Sequence, residues 1–181
     1  ESAADTLFVE WLDDVHLHQV DPATVGLGDL GRPEGFAERQ LDGWGRRWHA
    51  AKDQAVPDVD RMLRWLEAAV PTPQVTALLH NDYKLDNLMV DPGDPATPVA
   101  VFDWDMTTRG DPLMDLGYLL NFWNESGDDP RWHQVSGMPT NHEGFLTRAE
   151  VVERYARRTG LDLDGVAWYH VFGVFKLVVI V

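Results

Sequence analysis

Cysteine is absent from the 181 residues, so neither a disulfide framework nor a thiolate metal site is available. A cytoplasmic location is the expectation that goes with that absence. Long apolar runs are missing too. The longest candidate, Val171 to Val181, is interrupted by Lys176 and falls short of the ~20 residues that cross a bilayer; no membrane partner is expected. No basic, apolar, small-residue leader is found. Positive charge is scarce: 15 Lys and Arg stand against 30 Asp and Glu, a formal net charge of −15. Phosphate backbones are bound by basic patches, so the charge argues against nucleic acid and no such partner is expected. A cationic small molecule would be steered by such a field, although a solvated acidic surface accounts for most of the charge.

What is present points to a packed core. Hydrophobic residues make up 44% of the chain, with eight Trp, seven Phe and four Tyr, too many for a disordered segment. Both ends read as cut through helices. Leu7, Phe8, Trp11, Leu12 and Val15 have helical spacing, and the run from Lys176 to Val181 has no Gly, Asn or Pro stop signal. One domain over residues 1–181, truncated at both ends, is the expectation.

The first ~75 residues pattern as helices and loops. Asp21 to Pro33 is a turn-rich connector, and Pro33 suits the first position of a helix through Phe36, Gln40, Trp44 and Trp48. A second helix starts at Pro57 and carries Val59, Met62, Leu63, Leu66 and Val70. The tryptophans at 44, 48 and 65 are assigned to packing. The middle changes character. Val75–Leu79, Leu88–Val90 and Val99–Phe102 are short β-prone runs, the last two joined by the turn-forming Asp91-Pro92-Gly93-Asp94-Pro95. Asp111-Pro112 predicts a cap and first turn for a helix bearing Leu113, Leu116, Leu119, Leu120 and Trp123. Thr147-Arg148-Ala149-Glu150 predicts a capping box for a helix ending near Gly160, and an apolar helix follows from about Gly165.

Chemistry concentrates at the ends of the central hairpin. His80-Asn81-Asp82-Tyr83-Lys84-Leu85-Asp86-Asn87 has the H-x-D-x-x-x-x-N spacing of a kinase catalytic loop. Phosphoryl transfer passes through a loose transition state, so a protein chiefly positions groups and neutralises charge. Asp82 is placed to orient an attacking hydroxyl and take its proton. Lys84, two residues on, can reach the transferring phosphate as a point charge. Asn87 offers a neutral amide oxygen and Asp103, after the next strand, a charged one; two protein oxygens with phosphates and waters suit Mg²⁺. His80 is expected to hold the loop, Asp111 to cap its helix, and Asp115 to accept backbone N–H groups of the catalytic loop.

The runs Leu79–Val90, Val101-Phe102-Asp103-Trp104-Asp105 and Gly110-Asp111-Pro112-Leu113-Met114-Asp115-Leu116 together resemble the aminoglycoside phosphotransferase family, a branch of small-molecule kinases that includes choline and homoserine kinases of related pattern. The segment Val25–Gly35 is similar to a subgroup of kinase-like domains associated with acyl-CoA dehydrogenases. The resemblance implies an α+β fold: the mostly helical C-terminal lobe of a protein-kinase-like fold with a small central β-hairpin, the N-terminal lobe being absent from this chain. It also implies ATP as phosphoryl donor, Mg²⁺, and a small-molecule hydroxyl as acceptor. One departure is Asn81, where the family usually has Gly; its neighbours supply the chemistry.

Two further motifs compete. Gly26-Leu27-Gly28-Asp29-Leu30-Gly31 matches G-x-G-x-x-G, but a nucleotide loop needs a preceding strand, and Asp29 would repel phosphate. Asp103-Trp104-Asp105-Met106-Thr107 matches the D-x-D-x-T nucleophile of haloacid dehalogenase phosphatases, which need a parallel sheet and a distant acidic pair. Asp111 follows Asp103 by only eight residues, too close for a separate strand. A kinase-like binding domain that has lost transfer is the other alternative, against which Asp82, Asn87 and Asp103 argue. Glu125, Asp128, Asp129 and Glu143 form a candidate acidic wall, with a solvated loop as the plainer account. His16 and His18 lack the further ligands that a metal site requires.

Overall fold

The computed structural model describes residues 14–180; the expected opening helix through Leu7, Phe8, Trp11 and Leu12 lies outside them. Helix α1 (Asp14–Gln19) leads into turns. Gly26 and Gly31 both have positive φ there, so the glycine-rich stretch is a connector. Helix α2 (Phe36–Ala51) buries Phe36, Ala37, Leu41, Gly45 and Trp48. It starts later than the proline suggested. Gly35, left-handed at φ 61°, turns the chain into it, and the Phe36 amide donates to the Pro33 carbonyl at 3.1 Å. Helix α3 (Pro57–Ala68) has Pro57 in its first turn and buries Val59, Leu63 and Leu66. Trp48 joins the two helices, its indole N–H donating to Asp60 at 2.8 Å. Trp65 is 49% exposed, so it is not the packing residue that the sequence suggested.

Two small antiparallel sheets follow. Strand β1 (Ala77–Leu79) is buried throughout and pairs with β4 (Thr108–Gly110), Leu79 facing Thr108. Strands β2 (Leu88–Asp91) and β3 (Asp94–Val101) form the expected hairpin, Leu88 facing Val101. Its turn is held by the Asp91 carboxylate, which accepts from the Gly93 amide at 2.7 Å and the Asp94 amide at 3.2 Å. Both described sheets are antiparallel, which removes the parallel sheet that the phosphatase reading requires.

Helix α4 (Leu113–Phe122) is buried at every position from Leu113 to Asn121, as a central helix must be. Helix α7 (Val166–Ile180) crosses it where glycines remove the side chains. A Cβ on Gly117 would lie 2.4 Å from the Tyr169 carbonyl carbon, and one on Gly173 would lie 2.1 Å from the Asn121 amide nitrogen. Between them, α6 (Arg148–Thr159) begins with the predicted capping box, Thr147 and Glu150 bonding reciprocally, and ends at left-handed Gly160. A short helix α5 (Pro130–Ser136) was not anticipated. Its signal was the Asp129-Pro130 pair, the same cap-then-proline pattern as Asp111-Pro112; the Asp129 side chain accepts from the Arg131 amide at 2.9 Å.

Candidate active site

The loop between β1 and β2 carries the candidate chemistry, and strand pairing sets its edges. Leu88 pairs with Val101, and the Phe102 amide donates to the Asn87 carbonyl at 2.8 Å. The hairpin therefore delivers Asn87 from one strand and Asp103 from the other to the same end. A single turn of 3₁₀ helix, Leu85–Asn87, closes the loop onto the hairpin.

Asp82, Lys84 and Asn87 meet directly. The Lys84 ammonium donates to both Asp82 carboxylate oxygens at 2.9 and 2.8 Å and lies 5.3 Å from the Phe122 ring centroid. The Asn87 amide nitrogen donates to the Asp82 carbonyl at 2.8 Å and its carboxylate at 3.1 Å. Spending both N–H groups on Asp82 fixes the amide orientation and leaves the Asn87 side-chain oxygen free to serve a cation. Tyr118, on α4, has its hydroxyl pKa pushed up to about 12, first by burial and then by the Asp82 charge.

Asp103 stands at left-handed φ 61° before the 3₁₀ turn Trp104–Met106. Its carboxylate is exposed and has no hydrogen-bond partner among the described residues. A non-glycine residue in this region is strained, and such strain concentrates where a ligand is held. An anionic oxygen at this end of the hairpin, with an amide oxygen delivered to the same end by the other strand, fits a hard divalent cation that keeps most of its water. Among the described residues there is no group of three or more His, Asp or Glu side chains spaced for a metal, so a cation here would be completed by phosphate and water oxygens.

The support beneath the loop comes from α4. Asp115 is fully buried and accepts from the His80 amide at 2.6 Å and the Asn81 amide at 2.7 Å. His80, also fully buried, donates from Nε2 to the Phe102 carbonyl at 2.8 Å and accepts on Nδ1 from the Asp82 amide at 3.3 Å. The ring thus ties the His80–Asn87 loop to the chain just before Asp103. Asp111 accepts from the Leu113 amide at 3.0 Å and from the Tyr169 hydroxyl, anchoring α4 to α7. Burial raises its pKa, against the opposing pull of those two hydrogen bonds.

Asn81, in the position the resemblance reserves for glycine, is left-handed at φ 66°. Asparagine is among the few side chains that tolerate this region. It adds a bond that glycine cannot, donating to the Met106 carbonyl at 2.8 Å.

His18 was passed over in the sequence for want of metal partners. It lies buried beside this support, Nδ1 2.7 Å from the Tyr155 hydroxyl and Nε2 3.2 Å from the Asp115 carboxylate. Nothing in the local pattern around His18 signals a partner 97 residues away. Three of the four residues of the candidate acidic wall are ion-paired: Arg148 takes Glu125 and Asp128 as partners, and Asp129 binds Arg131.

A helical lobe with a short hairpin, a catalytic-type loop at its base and an acidic residue beyond the second strand define a kinase-like phosphotransferase fold. Solved structures share it. A Ralstonia eutropha protein described as an aminoglycoside phosphotransferase superposes with a TM-score of 0.81 at 29% identity, covering 98% of this chain and 54% of its own. Aminoglycoside phosphotransferase APH(3'')-Id from Streptomyces rimosus has the same fold, with a TM-score of 0.60 at 20% identity, covering 97% of this chain and 64% of its own. The profile of the phosphotransferase enzyme family (APH) matches residues 2–169, and the chain belongs to that family. Among curated proteins it is similar to acyl-CoA dehydrogenase family member 11 of Rattus norvegicus, 31% identical over 89% of this chain, and of Mus musculus, 31% identical over 97%. The chain spans 21% and 22% of the lengths of these two relatives. Among the described residues, no helix is long and apolar enough to cross a membrane.

Proposed function

We propose that this chain carries the catalytic centre of an ATP- and Mg²⁺-dependent phosphotransferase that moves the γ-phosphate to a hydroxyl of a small molecule. One observation carries the reading: Asp82, Lys84 and Asn87 form a hydrogen-bonded cluster at the base of a hairpin whose other strand leads directly to Asp103, which has no hydrogen-bond partner among the described residues. Asp82 orients the acceptor hydroxyl and takes its proton as the new oxygen–phosphorus bond forms and the bond from the γ-phosphorus to the β–γ bridging oxygen breaks, releasing ADP. Asn87 and Asp103 are the residues that would hold a magnesium ion, and that ion would supply neutralisation of the phosphate charge. Lys84 leaves Asp82 for the transferring phosphate when the nucleotide arrives, and His80 and Asp115 keep the loop in register.

The test is transfer of labelled γ-phosphate by the complete protein with Mg·ATP, over a panel of amino alcohols, sugars, aminoglycosides and hydroxy acids. Asp82→Ala is expected to lower the rate by a factor of about 10³ or more while circular dichroism and Tm stay near those of the parent. An intact protein that binds no ATP by calorimetry would sink the proposal. A binding domain without transfer is favoured by one feature, the engagement of both Asp82 oxygens by Lys84. Lys84→Ala separates the two: loss of turnover supports the transferase, whereas no turnover in parent or variant supports the binding domain.

A further inference from the structure

Lys176 is a lysine in the middle of α7, whose sequence VAWYHVFGVFKLVVI is otherwise almost wholly apolar. It is only 9% exposed, and its ammonium has neither a hydrogen-bond nor an ion-pair partner among the described residues. A buried, unpaired ammonium is costly to a fold, and burial lowers its pKa, against the opposing influence of Asp115 and Asp82. What surrounds it are aromatic faces: the Tyr118 centroid is 4.2 Å away and the Trp44 centroid 5.7 Å. Such faces hold a cation without using its N–H donors. The same Trp44 ring carries a second cation, with the Arg47 guanidinium carbon 4.7 Å from its centroid. Both cations, with Trp44, line a cleft of about 370 Å³ that Asn81 and Asp105 also border. Its size suits a small ligand, and Asn81, the residue preceding Asp82, forms part of its wall.

We propose that this cleft between α2 and α7 is a subsite for an oxyanion, a carboxylate or phosphate carried by the acceptor molecule. Lys176 binds it from the buried side and Arg47 from the exposed one. The word acceptor rests on the phosphotransferase reading above; the oxyanion site does not. Asp105 is the acidic residue at the cleft, so a singly placed anionic group fits better than an extended polyanion. The acceptor is then an alcohol bearing an acid group, which departs from the cationic substrate that the net charge suggested.

Acetate and inorganic phosphate, followed through their own NMR relaxation in the presence of the complete protein at constant ionic strength, test the site. Saturable binding is expected, weakened about tenfold by Lys176→Met and severalfold by Arg47→Gln, and unchanged by Arg131→Gln at a distant exposed pair. Mg·ATP is expected to leave it unchanged. Equal binding by parent, Lys176→Met and Arg47→Gln overturns the proposal, and displacement by Mg·ATP overturns it by giving the cleft to the nucleotide. Should Lys176→Met fail to fold, the exposed Arg47→Gln decides. Transfer assays on paired alcohols with and without an acid group complete the test. Preference for the neutral partner overturns the inference, whereas anion binding without any transfer overturns the phosphotransferase reading and leaves the oxyanion site standing.

Discussion

At the scale of single residues, the loop depends on two backbone conformations that most side chains resist, at Asn81 and Asp103. Their functions differ. Asp103 is held by the hairpin end with no hydrogen-bond partner for its carboxylate among the described residues, whereas the Asn81 side chain bonds to the Met106 carbonyl at 2.8 Å and so ties the β1–β2 loop to the segment after Asp103. Asn81→Ala should therefore lose about 1–2 kcal/mol of stability, from the left-handed backbone and the lost bond together. Asn81→Gly should lose only about 0.5 kcal/mol, because glycine removes the strain while forfeiting the bond. Urea unfolding of the two variants measures the difference, and equal losses would show that the backbone conformation carries no strain. His80 was legible as a support because the loop spacing names it, and Asp115 because it falls in the first turn of the helix after Asp111-Pro112; His18 was not, since its bond to Asp115 exists only after the chain has folded.

Among the elements, two contacts hold the helices under the site. The first is the α4–α7 crossing. Gly117→Ala places a methyl group 2.4 Å from backbone of α7, and the helices cannot separate without opening the core between them. A loss of about 3 kcal/mol is expected in thermal or urea unfolding. The second is Arg148, at the start of α6. Its guanidinium donates to the Leu120 carbonyl at 3.2 Å and to Asp128, and its amide donates to Glu125. Hydrogen bonding from Arg148 lowers the Asp128 pKa from its ordinary 3.8, outweighing desolvation. A depressed carboxylate contributes stability above its unfolded value and loses it as pH falls through the folded one. Asp128→Asn should accordingly be less stable than the parent at neutral pH by about 2 kcal/mol, with the gap closing below pH 3.8. A gap independent of pH would show that shape, not charge, holds the α6 start. The helix starts were readable where a capping residue precedes a helical pattern, as at Thr147. The glycines at the crossing gave no sign, because close approach is a property of two helices and neither sequence contains it alone.

For the molecule as a whole, the site is assembled from segments far apart in the chain: the β1–β2 loop, the far end of β3, the first turn of α4 and, through His18, α1. The spacing of Asp82, Lys84, Asn87 and Asp103 already specified the loop and hairpin, since register carries those residues to one end. The pairing of β1 with β4, and the buried Lys176 on α7, emerged only from packing. Lys176 looked like an interruption in an apolar helix because its aromatic neighbours, Trp44 and Tyr118, come from two other helices.

The grip of Asp115 on the loop has a consequence for hydrogen exchange. The His80 and Asn81 amides donate to a carboxylate that is itself fully buried on the central helix, so a local fluctuation of the loop cannot expose them to solvent. Their deuterium uptake should require opening of the α4 core and match the slowest amides in the protein, although the loop joins two short strands. Exchange of these two amides at the rate of a surface loop would show that the carboxylate lets go independently of the helix.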